Sequence, residues 1–312
     1  MRFPVKSLLM LSMAFLVSCK YEKPKQVFIN SEIAAAQAPY VSTENRVELN
    51  IPNLNWDVFT PGVDRVGWCG EVSIQMIALY YGYYHSQKVI NQLGNPKHLD
   101  LYSDEIEPVL KKLGFKYTTY INQSGNGVND YVLWLKESLK NESPVFSGVK
   151  RNPSSNPTWF LDHFVVVTGY DSGEITYNSN NRNYGKVKVD EVAFSSSAKP
   201  YTLRNPSNFF FGFAVQDVTL NSAEHEQQYP VRLFVLGETS EQVDLTVRIE
   251  NLSVGEQYLV TRHQVDIESG NITVQAKESI EATKEVMLLN QMSLDKHNSY
   301  YYTVTNKSRL SS

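Results

Sequence analysis

Cys69 is the residue of this 312-residue sequence whose type and setting best fit covalent chemistry. It stands directly before an almost wholly apolar segment that begins at Gly70 and predicts a buried helix. The unpaired N–H groups and the dipole at a helix start stabilise a thiolate and lower the pKa of a thiol. We therefore expect Cys69 to be a nucleophile, and the alternative is a small, buried and inert side chain.

His163 is the best candidate to accept the thiol proton, because it alone among the six histidines begins an apolar strand pattern. Asn178 ends the next strand pattern, after a predicted turn over 171–174. Because the strands of a hairpin run back to back, we expect Asn178 to approach His163 and hold its ring N–H. Asp162 is the alternative partner, although adjacent strand residues point to opposite faces.

A cysteine at a helix start, followed by a histidine and an asparagine on adjacent strands, resembles the papain-like cysteine peptidases. The closer resemblance is to the family that processes double-glycine leader peptides, such as those of bacteriocins. It covers about residues 50 to 215 and is carried by Trp68–Glu71, Tyr80–Gly82, His163–Asp171 and Ile175–Asn178.

This resemblance implies a mechanism for the three candidate residues. Cys69 would attack an amide carbonyl and form a thioester, and His163 would take the thiol proton and later protonate the leaving amine. Asn178 would orient the imidazole. The implied substrate is a peptide or isopeptide amide, and transfer to an amine would use the same three residues.

One element of the family pattern is missing before Cys69. The family usually supplies a glutamine there, whose side-chain amide stabilises the oxyanion, but Val63 and Asp64 occupy this region. Loss of one such donor costs on the order of 100- to 1000-fold in turnover. The N–H of Cys69, or a side chain of Asn55 or Trp56, would have to replace it. The alternative function is therefore a weak or inactive papain-like module that binds a peptide on the cell envelope.

Aromatic and small residues beside Cys69 and His163 are candidates for the substrate groove. They are Trp68, Gly70, Trp159 and Phe160. The tyrosines between positions 80 and 84 are more typical of a core, because their spacing is helical.

The elements that must position these residues follow from the hydrophobic periodicity. Helices are predicted over 70–83, 103–113 and 128–139, the second of them ended by Gly114. Strands are predicted over 144–149, 163–170, 175–178, 186–189 and 209–215. Helices followed by an antiparallel sheet predict an α+β, papain-like domain over residues 51–217.

The pattern changes near residue 218. Strand patterns over 231–236, 243–249, 257–261 and 300–305 are separated by polar turns. This spacing predicts an all-β sandwich domain over residues 218–312.

The amino terminus has the pattern of an export signal. Arg2 and Lys6 precede the apolar run Ser7–Val17, which is too short to span a bilayer. The four residues Leu16–Cys19 resemble a bacterial lipobox, which predicts a signal peptide over 1–18, lipidation of Cys19 and a tether over 19–50. The alternative is an ordinary secretory signal. Both alternatives export the chain, and the lipobox places it in the bacterial cell envelope, anchored to a membrane on the periplasmic or the cell-surface side.

Composition narrows the partners. With 29 basic against 33 acidic residues the net charge is −4, which disfavours nucleic acid as a partner. The histidines are scattered and Cys69 has no second thiol nearby, so we expect neither a metal site nor a cofactor. The expected partners are a peptide or protein substrate and a lipid membrane.

Overall fold

The computed structural model describes residues 26–27, 41–57, 67–123, 125, 127–151, 158–180, 185–190, 201–203, 209–219 and 229–309. Its helices are α1 (Cys69–Tyr80), α2 (Gln87–Gln92), α3 (Ser103–Lys112) and α4 (Val128–Lys140), with a final 3-10 turn at Lys307–Arg309. Its strands are β1 (Gln26–Val27), β2 (Val41–Thr43), β3 (Arg46–Glu48), β4 (Tyr83–Tyr84), β5 (Phe115–Thr119), β6 (Val145–Val149), β7 (His163–Asp171), β8 (Glu174–Asn178), β9 (Lys186–Asp190), β10 (Gly212–Val218), β11 (Val231–Glu238), β12 (Gln242–Ile249), β13 (Gln257–Val265), β14 (Ile272–Glu281), β15 (Met287–Asp295) and β16 (Ser299–Asn306).

The strand β7 is the centre of a curled, eight-stranded antiparallel sheet. It pairs with β6 and β3 along one edge and with β8 along the other. Eight of its nine residues are buried, as expected for a run of valines covered on both faces. At Gly169 the β3 backbone comes so close that a Cβ atom would lie 2.5 Å from the Val47 carbonyl oxygen, so only glycine fits.

The helix α1 packs against β7 and is apolar on nearly all sides, as its sequence predicts. Every residue of α1 except Cys69 is buried. The helix ends at Tyr80. Two residues later Gly82 has φ +81, a left-handed conformation in which the chain cannot continue as a helix. The helix therefore lies inside the core, and only its first residue, Cys69, is half-buried.

Three short strands, β1, β2 and β3, lie in the range predicted as a tether. The β2–β3 hairpin adds to the edge of β7, and Val47 is buried against the core. The order of helices first and strands later is also only approximate, since β2 and β3 precede α1 and β5 lies between α3 and α4. Short strands of this kind have too few apolar positions to reveal a period of two.

The C-terminal strands form two further antiparallel sheets, in the orders β1-β11-β12-β15 and β14-β13-β16-β4. The strand β4, which directly follows α1, supplies the last strand of the second sheet. The C-terminal sheets are therefore continuous with the part of the chain that carries Cys69, and a separate sandwich domain over 218–312 stays a prediction. None of the helices in the described ranges has the length and apolar character needed to span a bilayer.

Candidate active site

Cys69 is the first residue of α1 and lies at the end of a tight turn. Gly67 has φ +78, and its α-carbon faces the ring of Trp56, where a Cβ atom would lie 2.6 Å from the indole. The N–H of Cys69 donates to the Gly67 carbonyl over 2.9 Å. Trp68 is buried, and its indole N–H donates to the Leu99 carbonyl over 2.8 Å. This turn thus fixes Cys69 at the amino-terminal end of α1.

The thiol is not activated in the way the sequence predicts. Burial, with a smaller contribution from the nearby carboxyl groups of Glu71 and Asp100, raises the pKa of Cys69 to about 12. The N–H groups of Phe164 and Gly70 interact with the sulfur and act in the opposite direction. The expectation of a lowered pKa is therefore wrong, because the cost of burying a thiolate exceeds what the helix start supplies.

His163 is buried at the first position of β7, and its ring is held from one side. Nε2 lies 3.0 Å from the Ser179 carbonyl oxygen. A carbonyl can only accept, so Nε2 carries the hydrogen of the neutral imidazole and Nδ1 carries the free lone pair. Burial lowers the pKa of His163 to about 4, against a smaller, opposite effect of the Ser179 carbonyl. The ring is therefore a neutral base with a defined tautomer.

The structure brings Cys69 beside the residue that follows His163. The sulfur meets the N–H of Phe164, and that residue pairs with Gly148 on β6. The contacts of these described residues include no hydrogen bond between the thiol and the imidazole. At rest, therefore, the two groups are neighbours in the fold, and both are neutral.

Asn178 does not orient His163, which corrects the prediction. Its Nδ2 lies 3.1 Å from the carbonyl oxygens of Ile51 and Pro52. The reason is strand parity: Asn178 pairs with Val166, so its side chain lies on the face of β7 opposite to that of His163. The alternative partner, Asp162, accepts from the N–H of Arg151 and lies 3.5 Å from Lys150.

Asn180 is the polar residue of the site that sequence reasoning missed. Its Nδ2 lies 3.1 Å from the Cys69 carbonyl oxygen, 2.6 Å from the Phe164 carbonyl oxygen and 3.0 Å from the Ser73 hydroxyl. The residue is fully buried with φ +60, a conformation that asparagine tolerates. Asn180 thus ties the start of α1 to the start of β7. Its place in a run of polar residues gave only the signal of a turn.

The donors proposed to replace the missing glutamine have mixed outcomes. Residues 58–66, and with them Val63 and Asp64, lie outside the described residues. The N–H of Cys69 is bonded to Gly67. Trp56 Nε1 is buried and has no hydrogen-bond partner in the described part of the chain. Trp56 therefore supplies an indole N–H at this turn that is unbonded within the described residues.

The predicted groove residues divide into two pairs. Trp68 and Gly70 are buried, and a Cβ atom on Gly70 would lie 3.3 Å from Ile106 and Leu101, so both residues pack the core rather than line a surface. Trp159 and Phe160 are exposed, and the ring of Phe160 meets that of Phe209 at 5.5 Å. An exposed aromatic surface therefore lies just before His163 in the chain, with Phe209 as a member that the sequence did not suggest.

The tyrosines that end and follow α1 pack in or against the core as predicted, but the helix ends at Tyr80 rather than at 83, and Tyr83–Tyr84 form β4. Tyr80 and Tyr84 are buried.

Across the described ranges no group of three or more histidine, cysteine, aspartate or glutamate side chains could hold a metal ion. Cys19, the predicted lipidation site, lies outside the described residues.

Three comparisons place the chain among known proteins. The model of the Peptidase_C39 like family matches residues 48–206, about half of the chain. Among solved structures, the chain is similar to the peptidase domain of Streptococcus ComA, a bi-functional ABC transporter involved in a quorum-sensing pathway. The identity is 17%, the TM-score is 0.35, and the alignment covers 53% of this chain and 97% of that domain. No curated protein matches the chain.

Proposed function

This chain belongs to the Peptidase_C39 like family, papain-like relatives of the peptidases that process bacteriocins, and on that premise we propose that it is a cysteine peptidase. Cys69 is the proposed nucleophile and His163 the proposed base. Ser179, through its carbonyl, takes the orienting role that the sequence assigned to Asn178. The proposed substrate is a peptide or isopeptide amide.

One observation carries this proposal: Asn180 bonds the carbonyl groups of both Cys69 and Phe164, and Phe164 directly follows a histidine whose tautomer is fixed by Ser179. A histidine that donates from Nε2 to a carbonyl keeps Nδ1 as a base. A buried structural cysteine would not need an oriented, neutral imidazole on the neighbouring strand residue. The combination therefore supports acid–base chemistry on the thiol.

The reaction would start from the neutral pair. As the sulfur attacks the carbonyl carbon, its proton moves to Nδ1 of His163, and a tetrahedral oxyanion forms. Collapse of this intermediate breaks the C–N bond, and the imidazolium gives its proton to the leaving amine. Water then hydrolyses the thioester of Cys69 with the same histidine as base. The attack is possible only while His163 is neutral, because only the neutral ring can accept the thiol proton.

The second candidate function is a papain-like module that binds a peptide without cutting it. It is favoured by the engagement of the Cys69 N–H with Gly67 and by the raised pKa of the thiol. An oxyanion that cannot use the Cys69 N–H as a donor is stabilised less. Both candidates place the peptide against Cys69, and they differ in whether an acyl-enzyme forms.

Incubation of the full chain with a degenerate peptide library, followed by mass spectrometry, tests the proposal. We expect cleavage by the wild type and its loss in Cys69→Ser and in His163→Gln, with Asn178→Ala keeping most of the activity. Retention of peptides by the wild type without any cleaved product would refute the peptidase and leave the binding module.

We further propose that the chain reaches the cell envelope as a lipoprotein anchored through Cys19. The lipobox-like segment Leu16–Cys19 supports this proposal. Detergent phase partition of the full chain produced in a bacterium is the test, and we expect the wild type in the detergent phase and Cys19→Ala in the aqueous phase. Equal partition of the two proteins would exclude the anchor.

A further inference from the structure

A buried cluster of charged residues joins the C-terminal sheets to the loop before Cys69. Lys296 Nζ lies 2.9 Å from Asp57 Oδ2 and 3.1 Å from Glu238 Oε2, and the three side chains are 4%, 3% and 8% exposed. We call these residues the Lys296 cluster. Lys296 lies in the turn between β15 and β16, and Glu238 ends β11. The cluster therefore has one member in the loop and two in the C-terminal sheets.

On its other side the loop member is held by Gln87 of α2, which in turn contacts the helix that carries Cys69. Asp57 donates its N–H to Gln87 Oε1 over 2.8 Å. Gln87 donates in turn to the Asn55 carbonyl at 2.9 Å and to Gln75 Oε1 at 3.1 Å. Gln75 is a buried residue of α1. Residues 53–57 are thus fixed between α1 and the Lys296 cluster.

The same residues reach the candidate active site. Asn53 Oδ1 accepts from the N–H of Asn180 over 3.0 Å, and Asn180 holds the carbonyl groups of Cys69 and Phe164. Trp56 covers Gly67, whose carbonyl holds the N–H of Cys69. Two chains of contacts therefore run from residues 53–57 to Cys69.

The C-terminal sheets also contact the carboxyl-terminal end of α1. Arg232 of β11 donates to the Tyr80 carbonyl over 3.1 Å, and its guanidinium lies 3.9 Å from the centre of the Tyr80 ring. His85 Nδ1 lies 2.9 Å from the hydroxyl of Ser299 in β16. A cation at the carboxyl end of a helix is favourable for the helix dipole. The sheets thus contact α1 at its end and the loop before its start.

We propose that the C-terminal sheets are a positioning element of the Cys69 site, and that Lys296 is the positioning residue that fixes residues 53–57 against it. This inference rests on the proposed role of Cys69. Lys296 acts through Asp57 and touches neither the thiol nor the imidazole in the contacts described above. The region matched by the family model, residues 48–206, is then insufficient for a correctly formed site, because Lys296 lies outside it.

The test is the pH profile of iodoacetamide alkylation of Cys69 in the full chain, which needs no substrate and so stands apart from the outcome of the peptidase test. In Lys296→Met we expect water to reach the thiol and the alkylation rate at pH 8 to rise about tenfold or more, which corresponds to a thiol pKa about one unit lower. Lys296→Arg should restore the wild-type profile to within about threefold.

Arg248→Met is the matched control, because Arg248 is also buried in the C-terminal sheets and pairs with Glu250 at 2.7 Å. All variants are compared at temperatures where circular dichroism shows them folded. We expect Arg248→Met to keep the wild-type profile. If Lys296→Met also keeps it, or if the two variants shift it equally, Lys296 is a structural residue only and the inference is overturned.

Discussion

Two buried polar regions of this protein are built on opposite principles. Around Cys69 and His163 the partners are amides and carbonyls, and burial shifts the pKa of the thiol upward and that of the imidazole downward. The Lys296 cluster instead buries an ammonium group between carboxyl groups. Buried ions tolerate low dielectric only when they are paired, whereas an unpaired thiol and imidazole become neutral. The Lys296 cluster thus depends on paired charges, whereas the thiol of Cys69 and the imidazole of His163 are themselves uncharged.

The largest expected effect comes from breaking the charged region. Lys296→Met leaves Asp57 and Glu238 buried without a cation, which lowers the free energy of unfolding by about 3–5 kcal/mol. Urea unfolding measures this loss. The control is the triple variant Asp57→Asn, Glu238→Gln, Lys296→Met, which removes all three charges and should recover most of the stability. A loss below about 1 kcal/mol in the single variant would show that the cluster is not held by charge.

The neutral region should respond to pH instead. The pKa of His163 is about 4 in the folded protein, against 6.5 for an unperturbed histidine. Between these values the unfolded chain binds more protons than the folded one, so the stability that a neutral His163 provides is complete above pH 6.5 and is lost as the pH falls toward 4. Between pH 6.5 and pH 4 the free energy of unfolding of the wild type should therefore fall more than that of His163→Gln, by on the order of 3 kcal/mol.

His163→Gln is a suitable reference because a glutamine amide can also donate to the Ser179 carbonyl. Burial also lowers the pKa of His85 to about 4, and His85 is present in both proteins, so its contribution cancels. Parallel stability curves for the two proteins between pH 4 and 6.5 would show that the His163 ring is not neutral by burial.

The sequence predicted the elements of the neutral region better than their contacts. The start of α1, the strand β7 and the return strand β8 follow from apolar runs and a turn signal. The partner of His163 did not follow, because a shift of one residue moves a side chain to the other face of a strand. Proximity of two strands in a hairpin is thus predictable, while the face on which Asn178 lies is not.

The Lys296 cluster could not be predicted from the sequence. Lys296 and Asp57 are far apart in the chain, and single charged residues in turns have no pattern that indicates burial. The strands β14 and β15, which complete the C-terminal sheets, were also missed, although apolar residues at 272, 274 and 276 alternate with polar ones, as in a strand covered on one face.

The two asparagines beside the hairpin sharpen the comparison within the neutral region. Asn180→Ala and Asn178→Ala each leave buried carbonyl groups without a donor, which costs about 1–3 kcal/mol of unfolding free energy. Only Asn180 contacts Cys69, so only Asn180→Ala should speed the alkylation of the thiol. An NMR titration of the His163 ring should be unchanged in Asn178→Ala. A shifted titration there would restore Asn178 to the triad.

The smallest expected effect comes from the charge of Glu71, which lies near the neutral pair of Cys69 and His163. Glu71 is buried in α1, and burial raises its pKa to about 7. Its Oε1 accepts from Asn91 and from the N–H of Leu101, bonds that a glutamine oxygen can also accept. Above pH 7 the carboxylate repels a Cys69 thiolate and raises the thiol pKa.

Glu71→Gln should therefore alkylate faster than the wild type at pH 9, by a few-fold, equivalent to on the order of 1 kcal/mol of electrostatic repulsion. At pH 6 the wild-type carboxyl is mostly protonated, so the two proteins should react at the same rate. Asp104→Asn, which removes an exposed acid in the first turn of α3, serves as the control and should match the wild type at both values. A Glu71→Gln advantage that is equal at pH 6 and pH 9 would show that access rather than charge limits the thiol, because a neutral carboxyl cannot repel a thiolate.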